Sequence, residues 1–104
     1  MKALRIDVDG TREMVEITGD SIEAQNDCIW EMLGGYYDCI RLAFDGVMLV
    51  DDEGLLKGLP LNATAMLIAG YPVVVAGTAL IVGTEDTPDG EIFTDSPEQY
   101  EGFA

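Results

Sequence analysis

Residues 20–35 read DSIEAQNDCIWEMLGG, and they carry the strongest helix signal in the chain. Asp20 is a favourable N-cap, and Glu23 follows three positions later, where its side chain reaches back to the cap amide. Gly34-Gly35 provide a stop for a helix. The pattern therefore predicts one main helix over Asp20–Leu33. Its apolar stripe consists of Ile22, Cys28, Ile29, Met32 and Leu33.

Segments typical of β-strands lie on both sides of this helix. Hairpin turns are predicted at Asp9-Gly10, Asp45-Gly46 and Gly77-Thr78. The predicted strands are 3–8, 14–17, 36–44, 47–50, 73–76 and 79–82. The fold class is therefore α+β, with a mostly antiparallel sheet of about six short strands and the main helix packed on one face.

Residues 63–83 are mostly apolar and are as long as a membrane span. Pro72 and the β-branched run Val73–Val75 argue against a transmembrane helix, and no Lys or Arg lies at either end to orient one. We interpret the segment as a short helix capped by Asn62, followed by two buried strands. We expect no membrane association.

The chain has room for one domain, which we place at residues 1–84. Residues 85–104 contain seven acids and no base, and we expect an acidic, partly mobile tail there. Nothing at the N-terminus resembles a signal peptide. Cys28 and Cys39 match no metal or redox spacing, so we expect two free thiols in a cytoplasmic protein.

The formal net charge is −15, from 20 acidic and five basic residues. This charge repels DNA, RNA and anionic lipid, so a charged partner must be basic. A solubility function or a salt-rich habitat is the alternative explanation. The sequence also has no histidine, which removes the commonest general base and zinc ligand. Neither serine lies in a nucleophile motif, and no glycine-rich phosphate loop is present. We therefore expect no enzymatic activity, no cofactor and no metal.

The acids of the predicted helix are regularly spaced. Asp20, Glu23, Asp27 and Glu31 follow one another at steps of three, four and four, with no Lys or Arg between them. Their rise of about 5–6 Å is close to the spacing of phosphates along a DNA strand. The solvent-exposed side of an amphipathic helix explains polar residues here, but it explains the lack of cations less well.

Three segments resemble a known family: 33–36, 50–65 and 77–83. The stretch Glu53-Gly54-Leu55-Leu56-Lys57-Gly58-Leu59-Pro60-Leu61-Asn62 is the most specific. The order of these three segments along the chain is similar to that in a family of small domains of unknown function, which are carried by bacteriophages, plasmids and other mobile elements of bacteria. The resemblance covers about residues 2–84. It implies an α+β domain in a mobile-element setting, and it supplies no catalytic residues.

We expect a protein-binding inhibitor that mimics nucleic-acid phosphates and blocks a host defence nuclease, such as a CRISPR or restriction complex. The partner is a basic nucleic-acid-binding protein surface, not nucleic acid itself, and the protein is a monomer or a small homo-oligomer. The alternatives are a structural or accessory phage protein that self-associates through its sheet, and a small cation- or ligand-binding domain. The candidate partner-binding residues are Asp20, Glu23, Asp27, Glu31, Asp51, Asp52, Glu53, Glu85, Asp86, Asp89 and Glu91.

Overall fold

An antiparallel sheet with helices on both of its faces forms the body of the protein. The computed structural model describes residues 1–103. The elements are β1 (Lys2–Ile6), β2 (Arg12–Glu16), α1 (Ile22–Leu33), β3 (Tyr37–Arg41), β4 (Gly46–Asp51), α2 (Ala63–Ala69), β5 (Ala79–Thr87), β6 (Gly90–Thr94) and α3 (Glu98–Glu101). The strand order is β2-β1-β5-β4-β3, and β6 pairs with the second half of β5. The predicted α+β class is confirmed.

Strand β4 and the first half of β5, residues 79–83, are buried on both faces, which explains why they lack the usual alternation of polar and apolar residues. One face packs against α1 through Ile29 and Leu33. The other face packs against Ala65 of α2 and Tyr100 of α3. The main helix thus covers one face as predicted. The sequence had not indicated that the second face carries a core of its own.

Helix α1 begins later than the sequence predicted, because Ser21 is its N-cap instead of Asp20. Ser21 has extended backbone angles, and its Oγ accepts a hydrogen bond of 3.1 Å from the amide of Ala24. Asp20 lies outside the helix. Ile22, predicted to belong to the apolar stripe, is 67% exposed at the first helical position. The helix ends at Gly34 as predicted, with a left-handed φ of 88°.

The hairpin predicted around Gly77-Thr78 is wrong. Residues 73–76 are not a regular strand, although Ala76 forms an isolated bridge with Leu61. The segment is held by the chain before α2, since the amide of Asn62 donates to the carbonyl of Val75. The strand after it runs from Ala79 to Thr87 and passes the predicted end at Val82. Within residues 1–103, no helix is long and apolar enough to cross a membrane.

The segment after Thr84 differs from the expected tail. Residues 85–87 complete β5, and β6 folds back on them in register from Gly83↔Thr94 to Thr87↔Gly90. The chain then returns to the start of β1, where the amide of Ser96 donates to the carbonyl of Lys2. Tyr100 is buried, and its hydroxyl donates to the carbonyl of Ala43. Aromatic residues thus anchor this acidic segment on the sheet.

Candidate functional site

The acids of α1 form an exposed row on the outer side of the helix. Glu23, Asp27 and Glu31 are all exposed, and Ile29 and Leu33 bury the opposite side. Their spacing of four residues corresponds to a rise of about 6 Å from one to the next. Asp20 is exposed just before the cap. We call these four residues the α1 acidic row.

The β5–β6 hairpin extends the acidic surface beside the first half of α1. A groove of about 390 Å³ separates α1 from β6, and Gln25, Asn26 and Glu91 are among its lining residues. A second groove, of about 300 Å³, is also lined by Glu91 and includes Glu85 and Asp86. Glu91 therefore borders both grooves. Asp89 lies exposed in the turn of the same hairpin.

Glu91 is less available to a partner than its neighbours, because Arg41 of β3 binds it. The two guanidinium nitrogens of Arg41 donate to the two carboxylate oxygens of Glu91, one of them at 2.8 Å. This hydrogen bond and the charge of Arg41 hold the pKa of Glu91 below its ordinary value. The pair connects β6 to β3 and therefore has a structural role.

Asp45 belongs to this acidic surface, although the sequence indicates only a turn at this position. It lines the groove that contains Glu85 and Asp86. Its backbone carbonyl accepts hydrogen bonds from the amide and the hydroxyl of Thr84. Only the pairing of β4 with β5 brings residues 45 and 84 together. No local pattern could have revealed that neighbourhood.

The second predicted group, Asp51, Asp52 and Glu53, is divided by burial. The side chain of Asp51 is only 1% exposed and is bound by Lys57, whereas Asp52 and Glu53 are exposed. Burial opposes ionisation of Asp51. Hydrogen bonds from Lys57 and from the amide of Glu53 outweigh it, so the pKa of Asp51 lies below its ordinary value. Asp51 is therefore a structural residue and offers almost no surface to a partner.

Lys57 also joins this loop to the C-terminal end of α1. Its ammonium group donates to the carbonyl of Gly34 at 3.1 Å. The last turn of α1 contains no basic residue, so Lys57 supplies the cation that its negative end favours. This contact places the loop of Asp52 and Glu53 at the C-terminal end of α1. Strand β6 of the hairpin lies beside the first half of the helix.

The most specific stretch of the sequence, residues 53–62, has an architectural explanation. A side chain at Gly54 would come within 2.4 Å of the carbonyl oxygen of Ala76. Asn62 is fully buried and makes three hydrogen bonds. Its Nδ2 donates to the carbonyls of Ile6 and Gly77, and its Oδ1 accepts from the amide of Ala65. Asn62 thus connects β1, α2 and the loop before β5.

Within residues 1–103, three of the five Lys and Arg side chains and the N-terminal ammonium group pair with acids, and none of these acids belongs to the α1 acidic row. Arg5 pairs with Asp7, Arg41 with Glu91 and Lys57 with Asp51, and the N-terminal ammonium pairs with Glu16. Across residues 1–103, no salt bridge includes an acid of the row. Nor does this part of the chain contain three or more His, Cys, Asp or Glu residues arranged to hold a metal ion. The geometry therefore provides an exposed, uncompensated row of carboxylates.

A family model described as domain of unknown function (DUF3846) matches residues 1–104. The chain belongs to this family. The match includes residues 85–104, which the sequence-based resemblance had left outside. No curated protein and no solved structure matches the chain.

Proposed function

We propose that the protein is a non-enzymatic inhibitor that binds the basic, nucleic-acid-binding surface of another protein. In this role its carboxylates take the positions that phosphates otherwise occupy. The single observation that carries the proposal is the exposed α1 acidic row, with which no cation of the described chain forms an ion pair. A row that served only solubility would have no need to exclude Lys and Arg.

The surroundings of α1 support the same function. Asp52 and Glu53 lie near its C-terminal end, and Glu85 and Asp86 lie in the hairpin beside its first half. A partner groove that follows a nucleic-acid backbone would meet negative charge along the whole helix, a length of about 18 Å. Such complementarity accelerates association and selects basic surfaces.

Nucleases of bacterial defence systems are the partner class we propose, in particular CRISPR effectors and restriction enzymes. They present basic grooves to DNA or RNA, and an inhibitor of them would suit carriage by a phage or another mobile element. A small acidic domain can fill such a groove without any catalytic residue of its own.

The test is competition for a nuclease between the protein and DNA. A fluorescent duplex is bound to each member of a panel of CRISPR effectors and restriction enzymes, and its anisotropy is followed as the protein is added. We expect displacement from at least one nuclease, with an apparent affinity that falls steeply as sodium chloride rises. A panel in which DNA stays bound throughout, or displacement that is independent of salt, contradicts the proposal.

A further inference from the structure

A large apolar surface lies on the face of the sheet opposite to α1. Six side chains between residues 55 and 74 are more than half exposed, and Leu56, Leu67 and Tyr71 are 85%, 84% and 100% exposed. The six residues are Leu55, Leu56, Leu61, Leu67, Tyr71 and Val74. We call them the α2 surface, because they belong to α2 and to the loops on either side of it.

The α2 surface is free of charge at its centre. Residues 58–84 contain no Asp, Glu, Lys or Arg, although about a quarter of the whole chain is charged. A groove of about 450 Å³ crosses this centre, lined by Ala63, Met66, Leu67, Tyr71 and Val73. A second groove reaches Leu55, Leu56 and Val74 but is bordered by Asp38 and Asp52. The first groove is therefore the part that a molecule of negative charge can approach.

The size of the surface fits an interface. If a fully exposed large side chain offers about 150–200 Å², the six exposed fractions correspond to an area of roughly 700–900 Å². A monomer typically exposes an apolar patch of about 300–600 Å², and a stable interface buries about 800 Å² on each partner. The α2 surface is thus large enough for a stable contact.

We propose that a second copy of this chain covers the α2 surface, in a two-fold dimer centred on Leu67 and Tyr71. Two molecules of net charge −15 repel each other over most of their surfaces, but at the uncharged centre of the α2 surface, around Leu67 and Tyr71, they can meet without opposing carboxylates. Since α1 and α2 lie on opposite faces of the sheet, both acidic rows point away from the contact. The dimer presents two acidic rows, and its formation does not depend on the function proposed above.

Sedimentation velocity of the whole chain tests the dimer. We expect the mass to change from one chain to two as the concentration rises from about 1 to 200 µM. Raising sodium chloride from about 0.05 to 0.5 M should strengthen the dimer by screening the repulsion, whereas it weakens binding to a basic partner. A protein that stays monomeric at every concentration overturns the proposal and leaves the surface to a different protein.

Two matched variants locate the contact. Leu67→Asp places two carboxylates at the centre of the interface, one from each chain. We expect the dissociation constant of the dimer to rise roughly a hundredfold. Ile22→Asp makes the same change at a similarly exposed residue of α1 and should leave the dimer intact. If the Leu67→Asp protein does not fold, Tyr71→Ser is the alternative variant, because it removes a large side chain of the interface at a fully exposed position. A Leu67→Asp or Tyr71→Ser protein that is folded and dimerises like the wild type contradicts the proposal.

Discussion

The ammonium group of Lys57 lies 2.7 Å from a carboxylate oxygen of Asp51. The same ammonium group contacts the carbonyl of Gly34, so one side chain connects the end of β4, the loop after it and the end of α1. Asp51, which the sequence places in a cluster of three acids, is thus buried in the folded protein. The neighbouring acids Asp52 and Glu53 remain available to a partner.

The Asp51–Lys57 pair predicts a specific pH dependence of stability. Because the pKa of Asp51 is lowered on folding, its contribution is fully present above the unfolded pKa of about 3.9 and is lost as the pH falls through the lower folded value. Asp51→Asn should therefore melt several degrees below the wild type at pH 7. The difference should shrink below about pH 4.

Melting curves of both proteins between pH 2.5 and 7 measure this difference. The other acids are common to the two proteins and cancel in the comparison. A gap in melting temperature that stays constant down to pH 2.5 would show that the ionised pair contributes nothing to stability.

Asn62→Ala should be strongly destabilising. It leaves the carbonyls of Ile6 and Gly77 and the amide of Ala65 without their partner in a fully buried position. We expect a loss of about 3 kcal/mol, which lowers the melting temperature by more than about 10 °C in a domain of this size. Asn26→Ala is the control, since Asn26 is exposed and accepts one hydrogen bond, from Tyr37. Equal losses in the two variants would contradict the role of Asn62.

Stability should rise with ionic strength. Self-repulsion of a chain of net charge −15 weakens as the Debye length shrinks from about 30 Å at 0.01 M salt to about 8 Å at 0.15 M. We expect a melting temperature several degrees higher at the greater ionic strength. The double variant Asp27→Lys with Glu31→Lys loses two negative charges and gains two positive ones, so its net charge is −11 in place of −15, and its stability should respond less to salt. A wild-type melting temperature that is flat or falls with salt would mean that the acids are locally compensated.

Both cysteines should titrate as free thiols. Cys28 of α1 is half-buried against the core between α1 and the sheet, whereas Cys39 lies exposed on β3. Although Cys39 is exposed as a whole residue, partial desolvation of its thiol raises its pKa above the ordinary value and outweighs the opposite effect of the charge of Arg41. A thiol reagent should therefore count two sites in denatured, non-reduced protein and should label native Cys39 faster as the pH rises past about 9. A count of zero in protein purified under reducing conditions contradicts this expectation.

The features that the sequence predicted correctly depend on residues that are close together in the chain. The helix stop at Gly34, the cap at Asn62 and the hairpins around residues 7–11 and 42–45 are all determined by near neighbours, and all are present. Residues 73–76 were misassigned as a strand because a β-branched run predicts extended backbone but not its pairing partner. That partner lies across α2, at Leu61.

The candidate site could be predicted only in part for the same reason. The spacing of Glu23, Asp27 and Glu31 on one helix is visible in the sequence, and their exposure follows from it. The burial of Asp51, the pairing of Glu91 with Arg41 and the position of Asp45 depend on contacts between distant strands. The acidic composition of the segment after Thr84 predicted a tail. In the structure the segment instead forms a hairpin, because β6 pairs with the second half of β5.

Charge reversal within the α1 acidic row distinguishes a row that binds a basic groove from one that is only the solvated side of the helix. The measurement is displacement of fluorescent DNA from a susceptible nuclease by the wild type, by Asp27→Lys with Glu31→Lys, and by Glu13→Lys with Glu98→Lys. The control acids must have no structural contact of their own, which excludes Asp95, because its carboxylate accepts a hydrogen bond from the amide of Lys2. Glu13 and Glu98 are exposed and lie outside α1. Both double variants change the net charge equally, and melting curves establish that each is folded.

We expect the helix variant to lose displacement by a factor of about 100 or more, because two attractions become repulsions at the interface. The control variant should lose less than about tenfold, the effect of net charge alone. If the folded helix variant displaces DNA as well as the wild type does, the row is merely the solvated side of α1 and the account is wrong.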